Sequence, residues 1–321
     1  MPGHPVRRIS LSALAAVFSG EISNWKDLGG PEAPIIPYLR DPRSGVAQAV
    51  TDRVLRPAGQ VMSSGLTRVA ANEDLDLRVS RDSLALGLLN YSSIRFAQPM
   101  QIAGECGFAL RATPRMIKTE DYPLTMSVFM YMPMRRLPKI ARQFLAYTST
   151  ASAQAVIRRA GFIDQALEDI PINQQGDRLV QAVAVAGDGT TLQNLQTMLG
   201  MLSSLDRMTM SFRFVSGSSQ LDAQSRANVK RLAVVLEGDD YDGRTLAFVG
   251  FSDGLGALSQ NLELAQTRAE MVRDAVLQAA EAVNIDRLDI TAAAFGEAMP
   301  MACDLTDWGR DINRRVEVWT R

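Results

Sequence analysis

Thr245-Leu-Ala-Phe-Val-Gly-Phe-Ser-Asp253-Gly, followed by Asn261-Leu-Glu-Leu-Ala-Gln-Thr-Arg268-Ala-Glu-Met-Val272, is the stretch on which the fold of this chain turns. Thr245 to Gly250 reads as a strand, the residues around Asp253 as a loop, and the segment from about Leu258 to Ala282 as a long helix. Upstream, Met208-Thr-Met-Ser-Phe-Arg-Phe-Val alternates apolar and polar residues, as a half-buried strand does. Ser218 or Ser219 then caps a helix from Leu221 to Leu236, with Leu221, Val229, Leu232, Val235 and Leu236 largely on one face. Downstream, Arg287 to Phe295 reads as a third strand and Arg314 to Trp319 as a fourth. The order is βαβαβ plus a closing strand: an α/β, two-layer sandwich with helices packed on one sheet.

At 321 residues the chain exceeds one ordinary hydrophobic core, which suggests two domains. Residues 1–165 alternate short apolar segments, Gly/Pro punctuation and helical patterns, as α/β proteins do. Residues 166–205 read as a linker, with the polar Asn173-Gln-Gln-Gly-Asp run, a Gly187-Asp-Gly turn and one short amphipathic helix through Leu192, Leu195, Leu199 and Leu202. Residues 206–321 form the second domain.

Composition narrows the function. Acids and bases nearly match, 35 against 34, so nothing recruits nucleic acid electrostatically. No run of about 18 apolar residues occurs, which argues against a membrane span. The single histidine, His4, lies in the opening Met-Pro-Gly-His stretch and reads as a tail residue, so no Ser-His-Asp triad can be assembled from the core. Cys106 and Cys303, assigned to different domains, give no Cys/His zinc cluster; an internal disulfide is open to them, and each reads more often as a small buried hydrophobe. Ser44 has no histidine or evident lysine base nearby in the sequence, which sets a serine hydrolase aside. The expectation is a non-enzymatic protein without metal or cofactor. No basic segment followed by an apolar one opens the chain, so an exporting leader is expected upstream.

Four ordered motifs then carry a resemblance: Phe248-Val-Gly-Phe-Ser-Asp253-Gly, the Asn261 to Val272 helix, Phe295-Gly-Glu297, and Asn313-Arg314-Arg315-Val-Glu317. Together they resemble OmpA-like peptidoglycan-binding domains. That family shows Gly-His-Thr-Asp, Asn-x-x-Leu-Ser-x-x-Arg-Ala-x-x-Val, Gly-x-Gly-Glu and Asn-Arg-Arg-Val-Glu. The resemblance implies a periplasmic protein that binds the meso-diaminopimelate of the peptide stem, with Asp253 and Arg268 as the ligand pair. The chemistry agrees: the end group is a zwitterion, whose ammonium asks for a carboxylate and whose carboxylate suits the arginine fork. By motif position Asn261 orders the Asp253 loop or touches the peptide. Arg314 reads either as a pocket residue or, with Arg315, as an edge-strand ion-pair partner, and Glu297 and Glu317 read as structural. This chain departs from the pattern at Phe251, Ser252 and Ala265, and Phe251 is placed where it alters how sugar or peptide packs.

The first domain carries a second resemblance. Phe18-Ser-Gly20-Glu-Ile-Ser-Asn24-Trp25, then Arg40-Asp-Pro-Arg-Ser44-Gly45-Val46, then Leu86-Gly87 and Glu120-Asp-Tyr122-Pro123-Leu124 resemble the PstS-type periplasmic phosphate-binding proteins. These are two-lobed substrate-binding proteins (type II) of ABC transporters, which implies a phosphate or other oxyanion as ligand and an ABC permease as partner. The anion site falls on Arg40, Ser44, Gly45 and Val46: Arg40 offers a bidentate charge, and the Ser44-Gly45-Val46 turn opens a helix whose N–H groups face the anion. The family's threonine is Val46 here, which keeps the N–H and removes a hydroxyl. In that family the opening strands of the first lobe precede the Leu11 helix, so Arg40, Ser44 and Gly45 are expected to form half a site. The alternative is a purely structural envelope protein whose receptor-like domain contacts another protein.

Overall fold

The computed structural model describes residues 4–104, 106–186, 192–215, 218–283 and 287–321; Met1 to Gly3 and the Gly187-Asp188-Gly189 turn lie outside the described residues. The chain divides into two compact units. The first comprises Met1–Ile117 and Val128–Ala166, the second Lys118–Ser127 and Leu167–Arg321.

In the first unit the chain runs β1 (Arg8–Ile9), α1 (Leu11–Ser19), β2 (Ile36–Arg40), α2 (Gly45–Val50), β3 (Thr67–Val69), α3 (Asn72–Arg81), β4 (Ala85–Gly87), β5 (Gln101–Ala103) and β6 (Ala109–Leu110), then α4 (Pro114–Lys118) at its boundary. After the excursion of residues 118–127 it adds α5 (Lys139–Thr148) and α6 (Ala151–Arg159). Two small sheets form: a parallel one in the order β3-β2-β4, and β1-β5-β6, in which β5 and β6 are antiparallel. Ser10 caps α1 by accepting the Ala13 N–H, and Gly20 ends it at φ 89, a left-handed conformation that suits glycine. Helix α1 buries Leu14, Val17 and Phe18. Trp25 is buried beside them, its indole N–H donating to Leu84 O at 3.1 Å. His4 is part of this core edge rather than a loose tail, because its ring packs on Trp25 at 4.3 Å between centroids.

The second unit follows the pattern read from the sequence, with additions. Its elements are β7 (Asp169–Ile170), α7 (Gly176–Ala184), α8 (Leu192–Leu202), β8 (Asp206–Arg213), α9 (Ala223–Leu236), β9 (Thr245–Phe251), α10 (Leu258–Ala279), β10 (Asp289–Gly296), α11 (Asp307–Asn313) and β11 (Arg315–Thr320). They build one sheet in the order β10-β9-β11-β8-β7, with β10 parallel to β9 and β11 antiparallel to both neighbours. Strand β11 is thus central, not an edge. Helices α9 and α10 cover one face, where Met208, Met210, Phe212, Leu246, Phe248, Val316 and Val318 meet Leu232, Leu236, Val272 and Val276. Gly250 permits this approach, since a Cβ there would lie 2.1 Å from Ala265 O. The cap of α9 is Asp222, which accepts the Ser225 N–H at 2.7 Å, in place of Ser218 or Ser219.

The reverse face differs from the expectation of a half-buried strand. The polar positions of β8, Arg207, Thr209, Ser211 and Arg213, are all buried. Residues 118–127 and the stretch 167–205, which the sequence suggests as a linker, cover them: β7 pairs with β8, and Ala182, Leu195, Met198 and Leu202 pack on Ala247, Val249, Phe251 and Trp319. Buried guanidiniums require counter-charges there. Arg207 bonds Asp121 at 2.7 Å, Arg213 bonds Asp121 at 3.1 Å, and Glu317 accepts from Arg178 at 2.6 Å and from Arg315 at 2.7 Å. Burial alone would raise the Glu317 carboxyl, but Arg178, Arg207 and Arg315 outweigh it and hold it well below the usual carboxylate range. For Arg315, burial dominates and lowers the guanidinium to about 10. Neither cysteine is a free thiol. Among the described residues no helix is long and apolar enough to cross a membrane.

Candidate functional site

The site of the second unit sits where β9 ends and α10 begins. On α10 the buried stripe runs Asn261, Ala265, Arg268, Ala269, Val272 and Val276, so two polar residues occupy core-facing positions in its first half. Such residues cost stability unless they are hydrogen-bonded. Arg268 is 5% exposed, yet its Nε and Nη1 have no hydrogen-bond partner among the described residues; the same holds for Asn261 Nδ2 and Ser252 Oγ. Leaving buried donors unpaired costs on the order of 1–3 kcal/mol each. The Arg268 guanidinium carbon sits 4.8 Å from the centroid of the Phe214 ring, over its face, with one 3.5 Å contact from Nη2 to Ser218 O. Burial lowers its affinity for protons first, nearby Arg314 adds to this, and Asp253 opposes both.

Asp253 lies immediately beyond β9, in the loop that leads to α10. Its Oδ1 accepts the Leu255 N–H at 3.2 Å and its Oδ2 pairs with Arg314 Nη1, while Arg314 also pairs with Asp311. Asp253, Arg314 and Arg268 are therefore brought into one electrostatic neighbourhood, without an ion pair between Asp253 and Arg268. No side chain caps α10 at Ala257, so its first N–H groups add positive potential to the same region. Asn261 Oδ1 stands 3.8 Å from the position of a Cβ on Gly256, against the Asp253 loop.

Two residues that brace this site, Asn313 and Asp304, carried no assigned role in the sequence reading, and a third, Phe251, was placed at the site and does not belong to it. Asn313, fully buried, accepts the Met301 N–H at 2.7 Å and the Ala302 N–H at 3.1 Å, and donates to Asp304 Oδ1 at 2.7 Å. Asp304 in turn accepts the Gly254 N–H at 2.7 Å, so the chain after β10 braces the Asp253 loop. The only sequence signal for this was the Asn at the head of Asn-Arg-Arg-Val-Glu. Phe251 points away from the site: it is buried on the reverse face, under the Arg315 guanidinium at 4.3 Å and beside Phe295.

In the first unit the anion-site residues share one turn. Arg40 ends β2 and donates from Nη1 to Asn72 Oδ1 at 2.6 Å, and its Nε is buried without a partner among the described residues. Ser44 is the cap of α2, accepting the Ala47 N–H at 3.2 Å. Gly45 faces open space, and Val46 turns its side chain into the core. The turn therefore presents backbone N–H groups, while Ser44 already serves its own helix and Arg40 is oriented by Asn72.

Residues 213–314 match the OmpA family, and residues 2–152 match a PBP superfamily domain. The chain thus carries an OmpA-family domain and a PBP-like domain. Outer membrane porin F of Pseudomonas aeruginosa is 30% identical over 111 residues, covering 35% of this chain and 30% of that protein. Phosphate-binding protein PstS of Borreliella burgdorferi is 23% identical over 171 residues, covering 50% of this chain and 60% of that protein. Among solved structures, the peptidoglycan-associated lipoprotein of Burkholderia pseudomallei is 26% identical at a TM-score of 0.30, covering 35% of this chain and 89% of that one. The chain spans less than two thirds of the length of either curated relative.

Proposed function

We propose that this is a non-enzymatic periplasmic protein of the cell envelope that holds the diaminopimelate stem of peptidoglycan in its OmpA domain. The observation that carries the reading is Arg268: buried, oriented by Phe214, and left with two unpartnered donor atoms beside Asp253. A preformed, desolvated fork suits a ligand carboxylate, and the acidic side of the loop suits the ligand ammonium. Asn261 adds an amide donor to the peptide, and Arg314 holds Asp253 in place. The test is co-sedimentation with purified cell walls of two chemistries. Walls whose stems carry diaminopimelate should retain the protein, and walls with lysine at that position, which lack the terminal carboxylate, should not. Equal retention on both would defeat the reading.

The PBP-like domain is read as an oxyanion receptor-like unit, with Arg40, Ser44, Gly45 and Val46 on its anion-facing turn and an ABC permease as the partner. A second reading, contact with another protein, is favoured by one observation. Val128, Tyr131 and Met134 are 82%, 94% and 107% exposed, and α5 adds exposed Ile140, Phe144 and Tyr147 along one face. Apolar surface gathered this way commonly marks an interaction site.

A further inference from the structure

The exposed apolar stretch of the first unit has a second property, its charge. From Tyr122 to Ile163 the sequence holds Arg135, Arg136, Lys139, Arg142, Arg158 and Arg159 and no Asp or Glu, although acids outnumber bases over the whole chain. Arg135, Arg136, Lys139 and Arg142 are all exposed, and their side chains make no hydrogen bond or ion pair among the described residues. They interrupt the apolar residues rather than lying apart from them: Val128, Phe129, Met130, Tyr131, Met132 and Met134 precede them, and Ile140, Phe144 and Tyr147 stand among or after them, every one exposed. On α5 those last three fall at i, i+4 and i+7, along one face, with Arg142 on the opposite face and Lys139 beside it. Helix α5 buries none of its ten residues. A helix that short is marginal in water without packing on its apolar face, so an apolar cover would stabilise it.

We propose that residues 128–147 dock on an anionic lipid surface, with the apolar side chains at the boundary of headgroups and acyl chains and the four cations among the headgroup phosphates. The proposal goes beyond the wall-binding reading and does not depend on it. A helix with aliphatic and aromatic residues on one face and Lys and Arg on the other lies in the plane of a membrane in this way, and each cation near anionic lipid adds attraction. Tyr131 and Tyr147 suit that boundary, where the ring is covered and the hydroxyl stays wet. The ten residues of α5 measure about 15 Å, half of a hydrocarbon core of about 30 Å, so the helix lies on the membrane and does not pass through it. Charge disfavours two other occupants. A second copy seated on the same patch would set these cations against their own counterparts across a two-fold interface. A protein partner would need a face both apolar and acidic, a pairing that an anionic bilayer supplies by its composition.

The test is flotation of the full chain with vesicles of phosphatidylglycerol and phosphatidylcholine in equal parts, against vesicles of phosphatidylcholine alone. The wild type should float with the first and not with the second. Its binding should weaken as ionic strength rises from about 0.1 M to about 1 M, where the screening length falls from about 10 Å to about 3 Å. Lys139→Gln combined with Arg142→Gln should bind about thirtyfold more weakly, about fivefold per cation removed. Ile140→Ser combined with Phe144→Ser should also lose binding although all four cations remain, which adsorption by charge alone would not show. Only exposed residues are changed, so melting temperatures and retention on cell walls should match the wild type. Charge and apolar variants that float as the wild type does would overturn the proposal. A wild type that stays behind with the anionic vesicles present would overturn it too and leave the patch to an acidic protein face, while the wall-binding reading is decided separately by the wall assay.

Discussion

Replacing Glu317 with Gln isolates what holds the reverse face of the second unit together. The side chain is fully buried and accepts from Arg178 at 2.6 Å, Arg315 at 2.7 Å and the Trp319 indole at 3.1 Å, with Arg207 Nε at 3.2 Å. Glutamine keeps the shape but removes the charge, leaving Asp121, which pairs with Arg207 and Arg213, as the remaining buried acid of this cluster and Arg178 and Arg315 without their counter-charge. Breaking a buried pair from one side costs about 3–5 kcal/mol. With a urea m-value of about 2 kcal/mol per molar, the unfolding midpoint of this unit should drop by about 2 M. Urea is the suitable denaturant because it does not screen charge, and Trp319 reports by fluorescence from within the affected cluster. The pH dependence has a definite sign. A carboxyl depressed in the folded state contributes stability above its unfolded pKa of about 4.3 and loses that contribution as pH falls through the folded value, so the gap between wild type and variant should narrow below about pH 4. A midpoint shift under about 0.3 M at neutral pH would refute the assignment of Glu317 as the counter-charge for these arginines.

Other perturbations have equally definite outcomes. Glu120 is raised to about 7 by burial, with Asp222 and Asp121 adding and Arg213 and Arg231 opposing. Its stabilising contribution is present below about pH 4.3 and lost as pH rises through the folded value, so Glu120→Gln should be more stable than wild type by about 1–3 kcal/mol at pH 8 and no more stable at pH 4. Gly250→Ala would push a methyl against the Ala265 carbonyl, and thermal melting should show a loss of at least about 1–3 kcal/mol. Phosphate titration by calorimetry should show weak binding that Arg40→Ala abolishes, because a single helix N-terminus offers only about 1 kcal/mol, screened by salt; micromolar affinity surviving the substitution would remove Arg40 from the site.

What could be read in advance followed from periodicity and from motif order. Met208, Met210 and Phe212 alternate along β8, and Leu232, Leu236, Val272 and Val276 mark the faces that α9 and α10 turn to the sheet. The proposed site was legible where chemistry and position coincide: a loop Asp at a strand end and an Arg on the buried stripe of the next helix. What escaped was long-range. Alternation in β8 predicts water on its polar face, and no local pattern announces that Asp121, eighty-six residues before Arg207, supplies the buried counter-charge. Likewise Asn313 and Asp304 brace the Asp253 loop through backbone N–H groups, a task open to any polar residue in the right place. Phe251 was misplaced for a simpler reason: a one-residue step along a strand reverses the face, and its side chain belongs with Val249.

The most direct measurement on the proposed function is the affinity of the full chain for diaminopimelate-type cell walls before and after Arg268→Ala. Loss of a desolvated charged partner costs on the order of 2–5 kcal/mol, so binding should weaken by at least about thirtyfold, while the melting temperature should fall only modestly, because Nε and Nη1 have no hydrogen-bond partner among the described residues and Nη2 has a single 3.5 Å contact. Undiminished affinity in a folded Arg268→Ala protein would contradict the site.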